Sequence, residues 1–197
     1  MMKKIVFLIS MLLLGQNAFA DEKEDVKKQL LSKIDAVIEV VQDKSLNKDE
    51  RNSKIVDVVT PTFDFKLMAK LSLGKKWKTL KKADRSKFVN LYVERMKRSY
   101  SEKLDTYTDQ KVEVTSVKQP KKNRMVVETN LISASDKMDV IYKFWKPKKH
   151  IPTKDRWLVY DVEILGVSIL KADKAQFSEF LKTRSISELM DTMINVK

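Results

Sequence analysis

The sequence predicts an α+β fold: one domain in which helices from both ends of the chain pack on a curved antiparallel sheet. Three observations carry that expectation. Apolar residues recur every three or four positions until about residue 107, which is a helical period. Between residues 112 and 164 the period drops to two, in four segments joined by short polar turns. Past residue 168 the helical period returns. Strands grouped between helices, instead of alternating with them, separate α+β from α/β.

The first twenty residues read as an address. Lys3 and Lys4 give a positive start, Ile5 to Leu14 is an apolar run broken by Ser10, and Ala18-Phe19-Ala20 closes on a small-residue pattern. This is the layout of a secretory signal peptide, with cleavage expected after Ala20. The apolar run is about ten residues, short of the roughly twenty needed to span a bilayer. The expected division is therefore 1–20, removed, and 21–197, one folded domain.

The elements follow in order. Asp21 to Asp43 carries Val26, Leu30, Ile34, Ile38 and Val41 at helical spacing. Ser45 to Glu50 supplies capping residues for a second helix, which Pro61 ends. Asp64 is placed to cap a third helix bearing Leu67, Met68 and Leu71, and Gly74 stands where a helix C-terminal glycine belongs. A long helix runs from about Lys82 to Tyr107, with Phe88, Tyr92, Met96, Tyr100 and Leu104 four residues apart. Four strands are expected: around Val112 to Val117, then Met125 to Ile132, Met138 to Trp145 and Trp157 to Ile164. Short turns between them imply an antiparallel meander. Phe177, Phe180 and Leu181 mark one further helix, and Ile186, Leu189, Met190 and Met193 the last.

Composition removes several classes of chemistry. The chain of 197 residues has no cysteine and one histidine, His150. Cysteine nucleophiles, thiolate zinc sites and sites with several histidines are excluded. Gly74 and Gly166 are the only glycines after the leader, so no glycine-rich phosphate loop exists. The formal net charge is +13, and loss of Lys3 and Lys4 with the leader makes it 13 − 2 = +11. On an exported protein such charge points to anionic headgroups or acidic partner surfaces and away from nucleic acid.

The remaining candidates are few. His150 sits in a loop with two prolines and five basic residues, which reads as a solvated hairpin tip. Asp161 and Glu163 share a strand face, about 7 Å apart by strand geometry. A carboxylate pair of that kind suits a hydrolase; a solvent-facing polar stripe opposite Leu158, Tyr160, Val162 and Ile164 is the simpler reading. The stripe Phe88, Tyr92, Tyr100 and Tyr107, with Met138, Val140, Tyr142 and Phe144 on one face of the strands, reads first as packed core, because apolar periodicity marks burial; an unclosed apolar pocket is the alternative, and periodicity does not distinguish the two.

The segment from Phe63 to Trp77, FDFKLMAKLSLGKKW, resembles the signature of the MlaC (toluene-tolerance auxiliary) family. The resemblance continues in order through Arg85, Phe88, Tyr100, Leu104 and Tyr107, then Trp157-Leu158-Val159-Tyr160-Asp161-Val162, Gly166-Val167-Ser168-Ile169 and Gln176-Phe177. Lys174 departs from it where arginine is expected, as does the basic loop from Lys146 to Arg156.

The resemblance implies a fold of the NTF2-like kind, four strands enclosing an apolar pocket. It implies a soluble periplasmic carrier, not an enzyme, with phospholipid as bound ligand and no cofactor or metal. Its partners would be an inner-membrane ABC transporter complex with an MCE-type component and an outer-membrane lipoprotein complex. The pocket is then expected at Leu71, Phe88, Leu91, Tyr92, Tyr100, Leu104, Tyr107, Val127, Val140, Tyr142, Tyr160, Gly166, Val167 and Ile169. A basic docking surface is expected at Lys146, Lys148, Lys149, Lys154 and Arg156. Beside the carrier stand two other readings: an interaction module with a fully packed core, and a hydrolase built on Asp161, Glu163 or His150.

Overall fold

A computed structural model describes residues 2–104, 111–133 and 136–194, with the backbone alone for residues 2–20 and 100–104. The first helix, α1, runs Met2–Gln42, so helical backbone continues without a break across the expected cleavage point after Ala20. Helix α2, Lys48–Val59, begins at a capping box: the Asn47 side chain accepts from the Glu50 amide while the Glu50 carboxylate accepts from the Asn47 amide. Helix α3, Phe65–Leu73, is capped by Asp64, whose carboxylate accepts from the Leu67 amide at 2.9 Å and from the Trp145 indole at 3.1 Å. Gly74 ends it at φ +54°, a conformation that disfavours any side chain, and opens a 3₁₀ turn to Thr79. Helix α4 is Lys82–Leu104; residues 105–107 of the expected long helix lie outside the described residues.

The sheet has five strands, not four: β1 Lys111–Lys121, β2 Arg124–Ile132, β3 Lys137–Trp145, β4 Leu158–Ile164 and a two-residue β5, Val167–Ser168. They pair antiparallel in chain order. The fifth strand escapes the sequence because two residues carry no period. It follows β4 through Leu165 and Gly166, both at positive φ, which is the mirror-image turn that matches strand twist. Ser168 then caps α5, Ile169–Phe180, and α6 is Ile186–Ile194.

Two apolar cores result. Val26 and Leu30 of α1 lie on Met125, Val127, Val140, Phe144, Val159 and Val162 of the sheet. Met68, Leu73, Trp77, Phe88, Tyr92, Phe177, Leu189 and Met193 join α3 to α6 in a helical core, where Phe88 stacks on Tyr92 and meets Phe177 edge-on. Phe63 and Ile169 pack against both cores.

The expected polar stripe on β4 is corrected by the structure. Asp161 is buried, 3% exposed, and its carboxylate accepts from the Ser168 hydroxyl, the Leu170 amide and the Lys143 ammonium. Lys143 also bridges to Glu163 at 2.8 Å. The two carboxylates do share a face, but α5 covers it; the segment after β4 turns back, and strand alternation says nothing about that. Tyr160 is displaced by a bulge: Asp161 pairs with Lys143 and Val159 with Phe144, which leaves Tyr160 as the extra residue. Its ring lies under the Arg124 guanidinium, 5.4 Å away, with Trp145 alongside.

Candidate functional site

A cavity of about 680 Å³ opens between the two cores. Small-molecule sites span about 300 to 1,000 Å³. One side is α1, through Leu30, Ile34, Val37, Ile38 and Val41 at helical spacing. Ile55, Val56 and Val59 of α2 continue that wall, and Phe63 and Phe65 follow it. The sheet contributes Val112, Leu131, Tyr142, Val162 and Ile164, α4 contributes Met96, and Ile169 closes the end of β5. The antiparallel α1–α2 pair makes the cavity possible. Beyond Leu30 the apolar stripes of its two helices line this space.

Apolar side chains make up most of the lining, with polar and charged ones among them. The Tyr142 hydroxyl has no hydrogen-bond partner among the described residues, and burial pushes its pKa up to about 12 from the ordinary 10. Asn52 on α2, in the same wall, has a buried carbonyl oxygen without a partner among the described residues. The raised value means that the neutral phenol belongs to the folded state. Its contribution to stability is present below pH 10 and is lost as pH rises through about 12. Spectrophotometric titration is therefore expected to show a component ionising near pH 12 that Tyr142→Phe removes. A complete titration near pH 10 overturns this.

The sequence-expected pocket residues fall into five places. Tyr142 and Ile169 line the cavity. Leu71, Phe88, Leu91 and Tyr92 do not: Phe88 and Tyr92 are fully buried in the helical core, Leu91 packs beside them, and Leu71 is half-buried on α3. Tyr92 also donates its hydroxyl to the buried Asp173, 2.7 Å away, which Arg95 holds from the other side. Val127 and Val140 are sealed in the sheet core behind the cavity. Tyr160 stands on the bulge under Arg124. Gly166 and Val167 form an open hairpin tip: Val167 is 61% exposed, and a side chain added at Gly166 would meet nothing within 4 Å. The glycine is there for φ +78°, not for a close approach. The side chains of Tyr100 and Leu104, and all of Tyr107, lie outside the described residues.

The basic loop divides in the same way. Lys154 donates to the Thr60 and Phe63 carbonyls, and burial holds its pKa below the usual lysine range. It ties the loop to the α2–α3 turn, where Asp155 accepts from Thr62. Lys146 pairs with Glu22 and lies over the Trp157 ring, while Arg156 reaches the same Glu22 at 3.7 Å. Lys148 and Lys149 are exposed and have no partner among the described residues. His150 is exposed between them and Ile151. Sequence spacing shows α1 only as a helix with an apolar stripe, and so misses the α1 and α2 wall; the signal available is the width of that stripe, with Val37 and Ile38 adjacent.

Among the described residues no helix is long and apolar enough to cross a membrane, and no cluster of three or more metal-ligating side chains occurs. The chain is 23% identical over 193 residues to the "intermembrane phospholipid transport system binding protein MlaC" of Haemophilus influenzae, covering 96% of this chain and 89% of that protein. A phospholipid-binding protein from Ralstonia solanacearum, solved in complex with a phospholipid, shares the fold. It superposes with a TM-score of 0.73 at 18% identity, covering 84% of this chain and 93% of that one. The model of the MlaC protein family matches residues 31–195, from the cavity wall on α1 to the end of α6, and this chain belongs to that family.

Proposed function

We propose that this protein is a periplasmic phospholipid carrier. The observation that carries the reading is the cavity itself: a space of about 680 Å³ between two closed cores, lined mostly by apolar side chains. Hiding an acyl chain from water is worth about 0.8 kcal/mol per methylene, so two sixteen-carbon chains represent on the order of 25 kcal/mol. Contact with a surface does not offset that; enclosure does. The H. influenzae relative's name and the phospholipid in the R. solanacearum protein support the same ligand class.

The work of such a carrier is solvation, with no bond made or broken. Tails leave one apolar environment for another while the carrier is docked, and direction is set by the complexes at either end. Those are an inner-membrane ABC transporter with an MCE-type component and an outer-membrane lipoprotein complex. Lys148 and Lys149 remain for steering toward acidic surfaces, an effect that salt weakens. The leader 1–20 delivers the chain to the periplasm and is then removed.

Native mass spectrometry of the exported protein, purified without detergent and then extracted with organic solvent, tests the reading. A bound mass that extracts as phospholipid is expected. A mass equal to the bare chain, with none gained from liposomes, overturns the carrier and leaves an interaction module.

A further inference from the structure

Six charged side chains line the cavity among the described residues: Lys33, Asp49, Asp57, Glu94, Lys97 and Arg98. Four of them have a structural task. Glu94 and Lys97 pair with each other at 2.8 Å on α4. Arg98 donates to the Met193 carbonyl and so ties α4 to α6. Asp49 sits in the first turn of α2, where a carboxylate complements the helix dipole.

Lys33 and Asp57 are left over. Neither makes an ion pair or a hydrogen bond among the described residues. Each also stands where local physics disfavours it. Lys33 interrupts the apolar stripe of α1 between Leu30 and Val37, half-buried in the cavity wall. Asp57 lies in the last turn of α2, at the negative end of the helix dipole. The two helices are consecutive and packed together, with Lys33 half-buried and Asp57 exposed, so opposite charges stand at the cavity's edge on neighbouring helices with no ion pair between them.

We propose that this rim reads a zwitterionic glycerophospholipid headgroup, with the phosphodiester against Lys33 and the ammonium against Asp57. The inference rests on the carrier reading and names the headgroup class of the same cavity. A phosphate alone satisfies Lys33 but leaves Asp57 facing like charge; an ethanolamine phosphodiester satisfies both. Charge-assisted contacts at a half-exposed rim tune selection more than affinity.

The test incubates the full chain, expressed with its own leader and purified without detergent, with vesicles of equal phosphatidylethanolamine and phosphatidylglycerol. The recovered protein is extracted and the two lipids are counted. The native chain is expected to favour ethanolamine about fivefold. Asp57→Lys reverses the preference, and Lys33→Met lowers uptake of both lipids. Asp57→Asn and Lys33→Gln stand in if either variant melts early. A native ratio equal to that of the vesicles, a ratio unmoved by Asp57→Lys, or uptake unmoved by Lys33→Met overturns the headgroup site while lipid is still bound. A native chain that takes up no lipid overturns the carrier reading itself.

Discussion

Val37→Arg is expected to lower the phospholipid recovered with the protein at least tenfold while leaving it folded. Val37 is half-buried on α1 and faces the cavity, so the guanidinium enters the space the tails require. An unpaired charge in an apolar enclosure costs several kcal/mol, and about 1.4 kcal/mol already makes tenfold. Ile34→Trp, which fills the same space without charge, is expected to act likewise. Phe88→Ala gives the opposite pattern. It removes a fully buried ring from the helical core, costs about 3 to 5 kcal/mol of stability, and leaves the cavity wall intact. Lipid extraction and thermal melts on the same three variants separate the two roles. Native lipid content in Val37→Arg, or lipid loss in a folded Phe88→Ala, contradicts the placement of the cavity.

The second large effect is expected at Asp161. Its carboxylate joins β4, β5 and the start of α5 by accepting from the Ser168 hydroxyl at 2.8 Å, the Leu170 amide at 3.1 Å and Lys143 at 3.1 Å. Asp161→Ala leaves those donors around a void and is expected to cost about 3 to 5 kcal/mol in denaturant unfolding. Asp161→Asn keeps part of the acceptor set and costs about 1 to 3 kcal/mol. Lys143 keeps its charge throughout: partial burial opposes it, but hydrogen bonds to Glu163 and Asp161 outweigh that and raise its pKa. The Lys143 hydrogen bond in turn holds Glu163 below the ordinary 4.5. Stability from that pair is present above pH 4.5 and falls as acid protonates Glu163. An Asp161→Ala protein as stable as the native chain would assign this face a purely solvated role.

Periodicity alone was enough for the class of fold. The helical stripes, the four alternating segments and the returning helices all appear, although α1 begins at Met2 and β1 runs on to Lys121, and Asp64 and Gly74 cap α3 as their chemistry requires. Those features depend on neighbours within a few residues, which sequence displays directly. The family signature was equally legible, because it is a pattern of residues in order.

The position of the cavity was decided by tertiary structure. Apolar spacing shows that a face avoids water but not what it meets instead. Phe88 and Tyr92 of the α4 stripe met α5 and α6 and closed into solid core, whereas the plainer stripes of α1 and α2 were left facing space. The fate of single charges followed the same rule. Lys154 and Asp161 became structural because carbonyls and donors distant in sequence arrived beside them, whereas Lys33 and Asp57 have no partner among the described residues. Sequence determines which faces must be covered; only the packing of whole elements determines which of them is left for a ligand to cover.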